Sequence, residues 1–143
     1  MAEKVPQTLA NHARYDPLFH FFMAPLALAL VIWAIAHAWR HPSNEALAWV
    51  VASMLLFLAI FKTRNYALKV QDRVIRLEER LRLASLLPAG AALPALTEGQ
   101  LIALRFASDA ELPALAEKAV VGNLTGKQIK EAIQSWRPDY WRV

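Results

Sequence analysis

The sequence predicts an all-α membrane protein: a two-helix transmembrane hairpin, a second span continuing into a long cytoplasmic helix, and a small helical C-terminal subdomain. Three observations predict it. Residues 17–39 and 46–61 contain no Asp, Glu, Lys or Arg. A short polar turn, Arg40-His-Pro-Ser-Asn44, separates these two stretches. After the second stretch no Gly or Pro occurs until Pro88. Composition agrees: 57% of residues are hydrophobic and 20% charged, against about 45–50% and 25% in soluble domains. The mean hydropathy is +0.27.

The expected organisation is an N-terminal cytoplasmic segment (1–15), the hairpin (16–61), a basic juxtamembrane helix (62–87), a linker (88–96) and a helical cytoplasmic subdomain (97–143). The first span, Pro17 to Trp39, covers roughly 34 Å at 1.5 Å per residue, enough for a hydrocarbon core of about 30 Å. Asp16 is suited to cap it and Pro17 to open it. Pro25 is expected to bend it. A cleaved signal peptide is the rival reading, because Ala34-Ile-Ala36 and Ala36-His-Ala38 have the small-residue form of a cleavage site. The apolar run is longer than a signal core of about 7–15 residues, and the leader mixes Glu3, Lys4, Arg14 and Asp16, so an uncleaved span is expected. The second span, Ala46 to Phe61, is shorter, and Lys62 extends it by snorkelling. Trp33, Trp39, Trp49, Tyr15 and Tyr66 fall mostly near the expected interfaces.

The formal net charge is +4, and its distribution orients the hairpin. Residues 62–87 carry Lys62, Arg64, Lys69, Arg73, Arg76, Arg80 and Arg82 against Asp72, Glu78 and Glu79, while the connecting loop carries only Arg40. The positive-inside rule then places both termini in the cytoplasm. Lys62, Arg64, Lys69, Arg73 and Arg76 are the expected contacts for anionic lipid headgroups.

No breaker separates Phe61 from Leu87, so one helix of about 65 Å is expected from the second span onward. On it Ala67, Val70, Val74, Leu77, Leu81 and Ala84 alternate in steps of three and four, a heptad seam. Val70, Val74, Leu77 and Leu81 form its expected oligomer contact, with a sister copy or the chain's own cap as the partner; a helix lying flat on the membrane is the other reading of the same pattern. Asp72 with Arg76, Glu78 with Arg82, and Glu79 with Arg82 have the spacing of flanking ion pairs. Acids interrupt the basic patch and no recognised nucleic-acid module is present, so nucleic acid is not an expected partner.

Pro88-Ala-Gly-Ala-Ala-Leu-Pro94 ends the long helix. Thr97-x-x-Gln100, Ser108-x-x-Glu111 and Thr125-x-x-Gln128 have capping-box form, predicting helices over about 98–107, 109–121 and 126–136. Gly122 and Asn123 suit the end of the second. Leu101, Leu104, Leu112, Leu115, Val120, Ile129 and Ile133 are the expected inward residues. So small a core is expected to dock on the long helix or on a neighbouring copy. The aromatic, basic tail from Trp136 is expected at headgroups or at an interface.

The chemistry of the side chains excludes more than it suggests. There is no Cys, which removes thiolate catalysis and Cys-based metal sites. Four glycines form no phosphate loop. Glu78-Glu79 reads as a solvated face. His20 and His37 lie about 25 Å apart along the first span, too far to share an ion. His20, an ionisable group at a membrane helix, is the candidate for ion or proton sensing. Neither cofactor nor metal is expected.

Four blocks, Asn11-His-Ala-Arg-Tyr15, Pro17-Leu-Phe-His-Phe21, Val70 to Leu81 and Gln100 to Asp109, resemble a bacterial family of small two-span membrane proteins of unknown function. The resemblance implies a bacterial inner-membrane protein and carries no activity or site. The expected function is that of a non-enzymatic, self-associating inner-membrane scaffold or organiser. A channel or transporter subunit is the alternative. The spans offer only His20, His37 and Ser53 as polar groups to line a pore, which favours the scaffold.

Overall fold

The computed structural model describes residues 6–12 and 15–140. Among the described residues there are five α-helices and no strand longer than an isolated bridge: α1 (Ala24–Arg40), α2 (Asn44–Leu86), α3 (Glu98–Leu104), α4 (Leu112–Val121) and α5 (Gly126–Ala132). Glu3, Lys4 and Arg14 of the leader and Trp141 to Val143 of the tail lie outside the described residues. The chain divides into two compact units, residues 15–69 and residues 6–12 with 70–140, and α2 contributes to both.

In the first unit, Phe19–Arg40 and Asn44–Leu86 are long and apolar enough to cross a membrane. Asp16 does cap the first: its Oδ1 accepts the amides of Leu18 and Phe19 at 3.1 and 3.3 Å. Pro25 is absorbed by a π-helical turn, Phe19–Met23, in which the Ala24 amide reaches back to the Phe19 carbonyl. A proline removes one amide and crowds the carbonyl four residues earlier, and a widened turn relieves both. Ser43 caps α2 through its hydroxyl, which accepts the Ala46 amide at 3.0 Å. Inside the hairpin the buried side chains are mostly small: Ala27 and Ala34 on α1, Ala46 and Ser53 on α2, with Phe19 at the end. Seven-residue spacing puts each pair on one stripe, where small side chains let backbones approach. Ala34-x-x-x-Ala38 and Ala48-x-x-x-Ala52 also have small-residue spacing. Ala34 is on the stripe, whereas Ala48 is exposed. The Ser53 hydroxyl donates to the Val50 carbonyl at 2.9 Å, so its burial leaves no orphan. The large apolar groups, Phe21, Leu26, Ile32, Leu55 and Leu58 among them, point outward.

In the second unit, α3, α4 and α5 close over the last third of α2. Leu83 of α2 joins Leu104, Phe106, Leu112, Ala116, Ala119, Ile129 and Ile133 in one core. The cap therefore docks on its own long helix. Val120, expected inside, is exposed. Both Thr-x-x-Gln capping boxes form, at Thr97 and Thr125. Of the Ser108-x-x-Glu111 box only the Glu111 half forms. Glu111 precedes α4, and its carboxylate accepts the amides of Ser108, Gln134 and Ser135 at 3.1–3.2 Å. It thereby staples the start of α4 to the residues after α5. Gly122 and Asn123 end α4 as expected: the Leu124 amide reaches Ala119 and the Asn123 amide reaches Val120, a Schellman motif with Asn123 at φ +45°. A Cβ on Gly122 would sit 3.1 Å from the Lys118 carbonyl oxygen, so this position is glycine for close packing.

The three cap helices are shorter than expected at one end or the other. α5 ends at Ala132 because the next residues pair elsewhere. Ser108 donates its amide to the Ser135 carbonyl at 3.0 Å, and Arg137 donates to the Phe106 carbonyl at 2.7 Å. The tail from Trp136 to Tyr140 is thus part of the cap, not a free aromatic anchor. Residues 6–12 join it: the Gln7 amide side chain brackets the Asp139 backbone with bonds of 2.7 and 3.1 Å.

A candidate self-association surface on the long helix

From Val70 to Leu86, α2 presents two faces of different chemistry. Ile75, Glu79 and Leu83 recur every four residues and are buried under the cap. Glu79, only 5% exposed, was expected on a solvated face. It is paired with Arg82 at 2.9 Å and with Arg137 at 3.5 Å. Arg82 also reaches Asp109 at 2.6 Å and the Ala107 carbonyl at 2.7 Å, which ties α2 to the loop between α3 and α4. Arg76 pairs with Glu98 and donates Nε–H to the Asp72 carbonyl. Of the expected flanking pairs, Glu79 with Arg82 forms; Arg76 uses the Asp72 backbone rather than its carboxylate, and Arg82 takes Glu79 rather than Glu78.

The seam lies on the other side. At about 100° per residue, the line through Val70, Val74, Leu77 and Leu81 is about 180° from that through Ile75, Glu79 and Leu83. The cap leaves it uncovered: these four residues are 60%, 48%, 60% and 64% exposed. The result is a contiguous exposed apolar stripe on a helix otherwise rich in charge. The flanking charges sort in the same way. Among the described residues, Arg76, Glu79 and Arg82 on the cap side carry ion pairs, whereas Arg73, Glu78 and Arg80 beside the seam form none.

The other residues singled out from sequence fall in different surroundings. Lys62, Lys69 and Arg73 are exposed, with the Lys62 ammonium 5.4 Å from the Tyr66 ring centroid. Arg64 is turned toward the first helical stretch, 3.5 Å from Asp16 and 4.5 Å from the Phe19 ring. His20 is half-buried: its Nδ1 lies 2.8 Å from the Asp16 carbonyl, and its ring meets Tyr15 and Phe19 edge-on. A cleft of about 320 Å³ nearby is lined by Asp16, Phe19, Met23, Ile60, Thr63, Arg64 and neighbouring apolar residues of α2, and His20 is not among them. His37 stacks on Trp33 and lies 5.3 Å from His41. Among the described residues no three His, Asp or Glu side chains come together as a metal site.

Several residues that organise the cap have no local sequence signal. Gln100 completes the Thr97 box through Oε1 and also donates Nε2 to the Ala119 and Leu124 carbonyls at 3.0 and 3.1 Å, holding the end of α4. Arg105 is buried against Asp139 at 3.1 Å, and His12 packs on Phe106 and Trp136. Only the Gln100 spacing was readable, and only for its capping half.

A family model described as a family of unknown function, DUF6526, matches residues 1–143. The chain belongs to this family. No curated protein and no solved structure matches the chain. The family therefore brings no activity with it, and the chemistry of the surface just described carries the functional argument.

Proposed function

We propose that this chain is a non-enzymatic, self-associating membrane protein that acts as a scaffold in the bacterial inner membrane, with both termini cytoplasmic. The observation that carries the reading is the exposed seam Val70, Val74, Leu77 and Leu81, left open by a cap that covers the opposite side of the same helix. A second copy supplies a matching stripe. Copies inserted with one orientation would present their long helices side by side from the same leaflet, which confines the search for a partner to the membrane plane. Membrane insertion draws its support from the outward-facing side chains of Phe19–Arg40 and the first half of α2. These side chains, Phe21, Leu26, Ile32, Leu55 and Leu58 among them, are more than half exposed along both stretches, an extended apolar surface of the kind that marks a membrane or protein contact. Lys62 and Lys69, both exposed, would meet anionic headgroups, at about 1 kcal/mol per base near the surface. Among the described residues Ser53 is the one polar side chain buried in the hairpin, and it is satisfied within its own helix, which disfavours a pore within one chain.

Alkaline carbonate extraction and mass photometry in mild detergent test the two halves of the proposal. The full chain is expected in the membrane pellet and as an oligomer, and the Leu77→Asp/Leu81→Asp variant in the pellet as a monomer. Release by carbonate would remove the membrane reading. A variant of unchanged oligomer size would remove the seam from it.

A further inference from the structure

We infer that two copies join through this seam as a parallel, in-register pair, and that Arg73 of each copy selects that arrangement by reaching Glu78 of the other. The inference rests on the self-association proposed above. Taking Val74 and Leu81 as heptad positions a, and Val70, Leu77 and Ala84 as d, Arg73 and Arg80 fall at g and Glu78 at e. In a parallel pair the g residue of one helix faces the e residue of the next heptad on its partner, five positions on. Arg73 and Glu78 have that separation, so symmetry gives the contact twice. Both are exposed, and among the described residues neither has an ion-pair partner inside the chain, whereas Arg76, Glu79 and Arg82 on the cap side are paired. An antiparallel pair sets g against g and brings Arg73 toward Arg80, a repulsive contact.

The test uses the full chain in lipid nanodiscs or liposomes, and the absence of native Cys makes it clean. Arg73→Glu and Glu78→Arg are each expected to weaken dimerisation by about fivefold or more. The double variant R73E/E78R, which keeps the net charge, is expected to recover it. The two single variants, mixed, are expected to pair with each other in preference to themselves. In single-cysteine variants, Leu77→Cys is expected to crosslink to itself on oxidation, and Lys69→Cys, on the outer side of the helix, is not. A dimer that tightens on Arg73→Glu, or that crosslinks as readily through Lys69→Cys as through Leu77→Cys, overturns the parallel geometry while leaving self-association in place. A wild-type chain that stays monomeric overturns both.

Discussion

At the scale of single residues, the cap is held by side chains whose partners come from distant parts of the chain. Glu79 is the clearest case. Its carboxylate is buried on α2, and Arg137, 58 residues on, helps to neutralise it. Removing one partner of a buried ion pair leaves a charge without compensation and costs about 3–5 kcal/mol, whereas replacing the pair by apolar groups is often close to neutral. Arg82→Met is therefore expected to lose amide-exchange protection across the cap, and Glu79→Leu/Arg82→Met to regain much of it. Protection equal in both variants would mean that the pair is not coupled. Asn123 offers a second test. At φ +45° it stands where only Gly, Asn and Asp sit without strain. Asn123→Gly is expected to be neutral within a few tenths of a kcal/mol, and Asn123→Val to destabilise the cap by about 1–2 kcal/mol. Denaturant titration followed by cap fluorescence from Trp136 measures both.

At the scale of elements, the legible features were those that local spacing defines. The turn between the apolar stretches, the unbroken α2 of 43 residues and the two Thr-x-x-Gln boxes all follow from neighbours within four or five positions. The features that escaped depend on contacts far along the chain. Ile75-Glu79-Leu83 has a four-residue period, but a carboxylate in the middle reads as a solvated face until Arg82 and Arg137 are seen beside it. α5 stops short of its sequence-predicted end because Ser135 and Arg137 pair with Phe106 and Ser108, about 30 residues earlier. Ser108-x-x-Glu111 has the right letters for a capping box, yet three backbone amides compete for the Glu111 carboxylate and the helix starts later. The seam was legible as a pattern, and the structure adds that the cap does not use it. That gives a prediction at this scale. Because Leu77 and Leu81 are more than half exposed within the chain, Leu77→Asp/Leu81→Asp should alter the stability of the isolated monomer by no more than about 0.5 kcal/mol per site. Denaturation in detergent under monomeric conditions checks it. A large loss would mean that these leucines support the chain's own fold.

At the scale of the whole molecule, the proposal joins an apolar hairpin to a self-complementary helix. The charge distribution supports the proposed orientation: seven bases follow the second apolar stretch within residues 62–87, against one in the connecting loop. Reporter fusions at Met1 and at Val143 are both expected to read cytoplasmic, and a fusion in the loop near Pro42 to read periplasmic. A periplasmic signal at either end would reverse or dissolve the hairpin. The central claim is that copies meet through the seam within a bilayer. Energy transfer between donor- and acceptor-labelled full-length chains in liposomes, followed as lipid is added at constant protein, tests it most directly. The expected result is transfer that persists above the level of random proximity at high lipid dilution in the wild type and falls to that level in Leu77→Asp/Leu81→Asp. Transfer that tracks random proximity in the wild type, or that is the same in both, would contradict the claim.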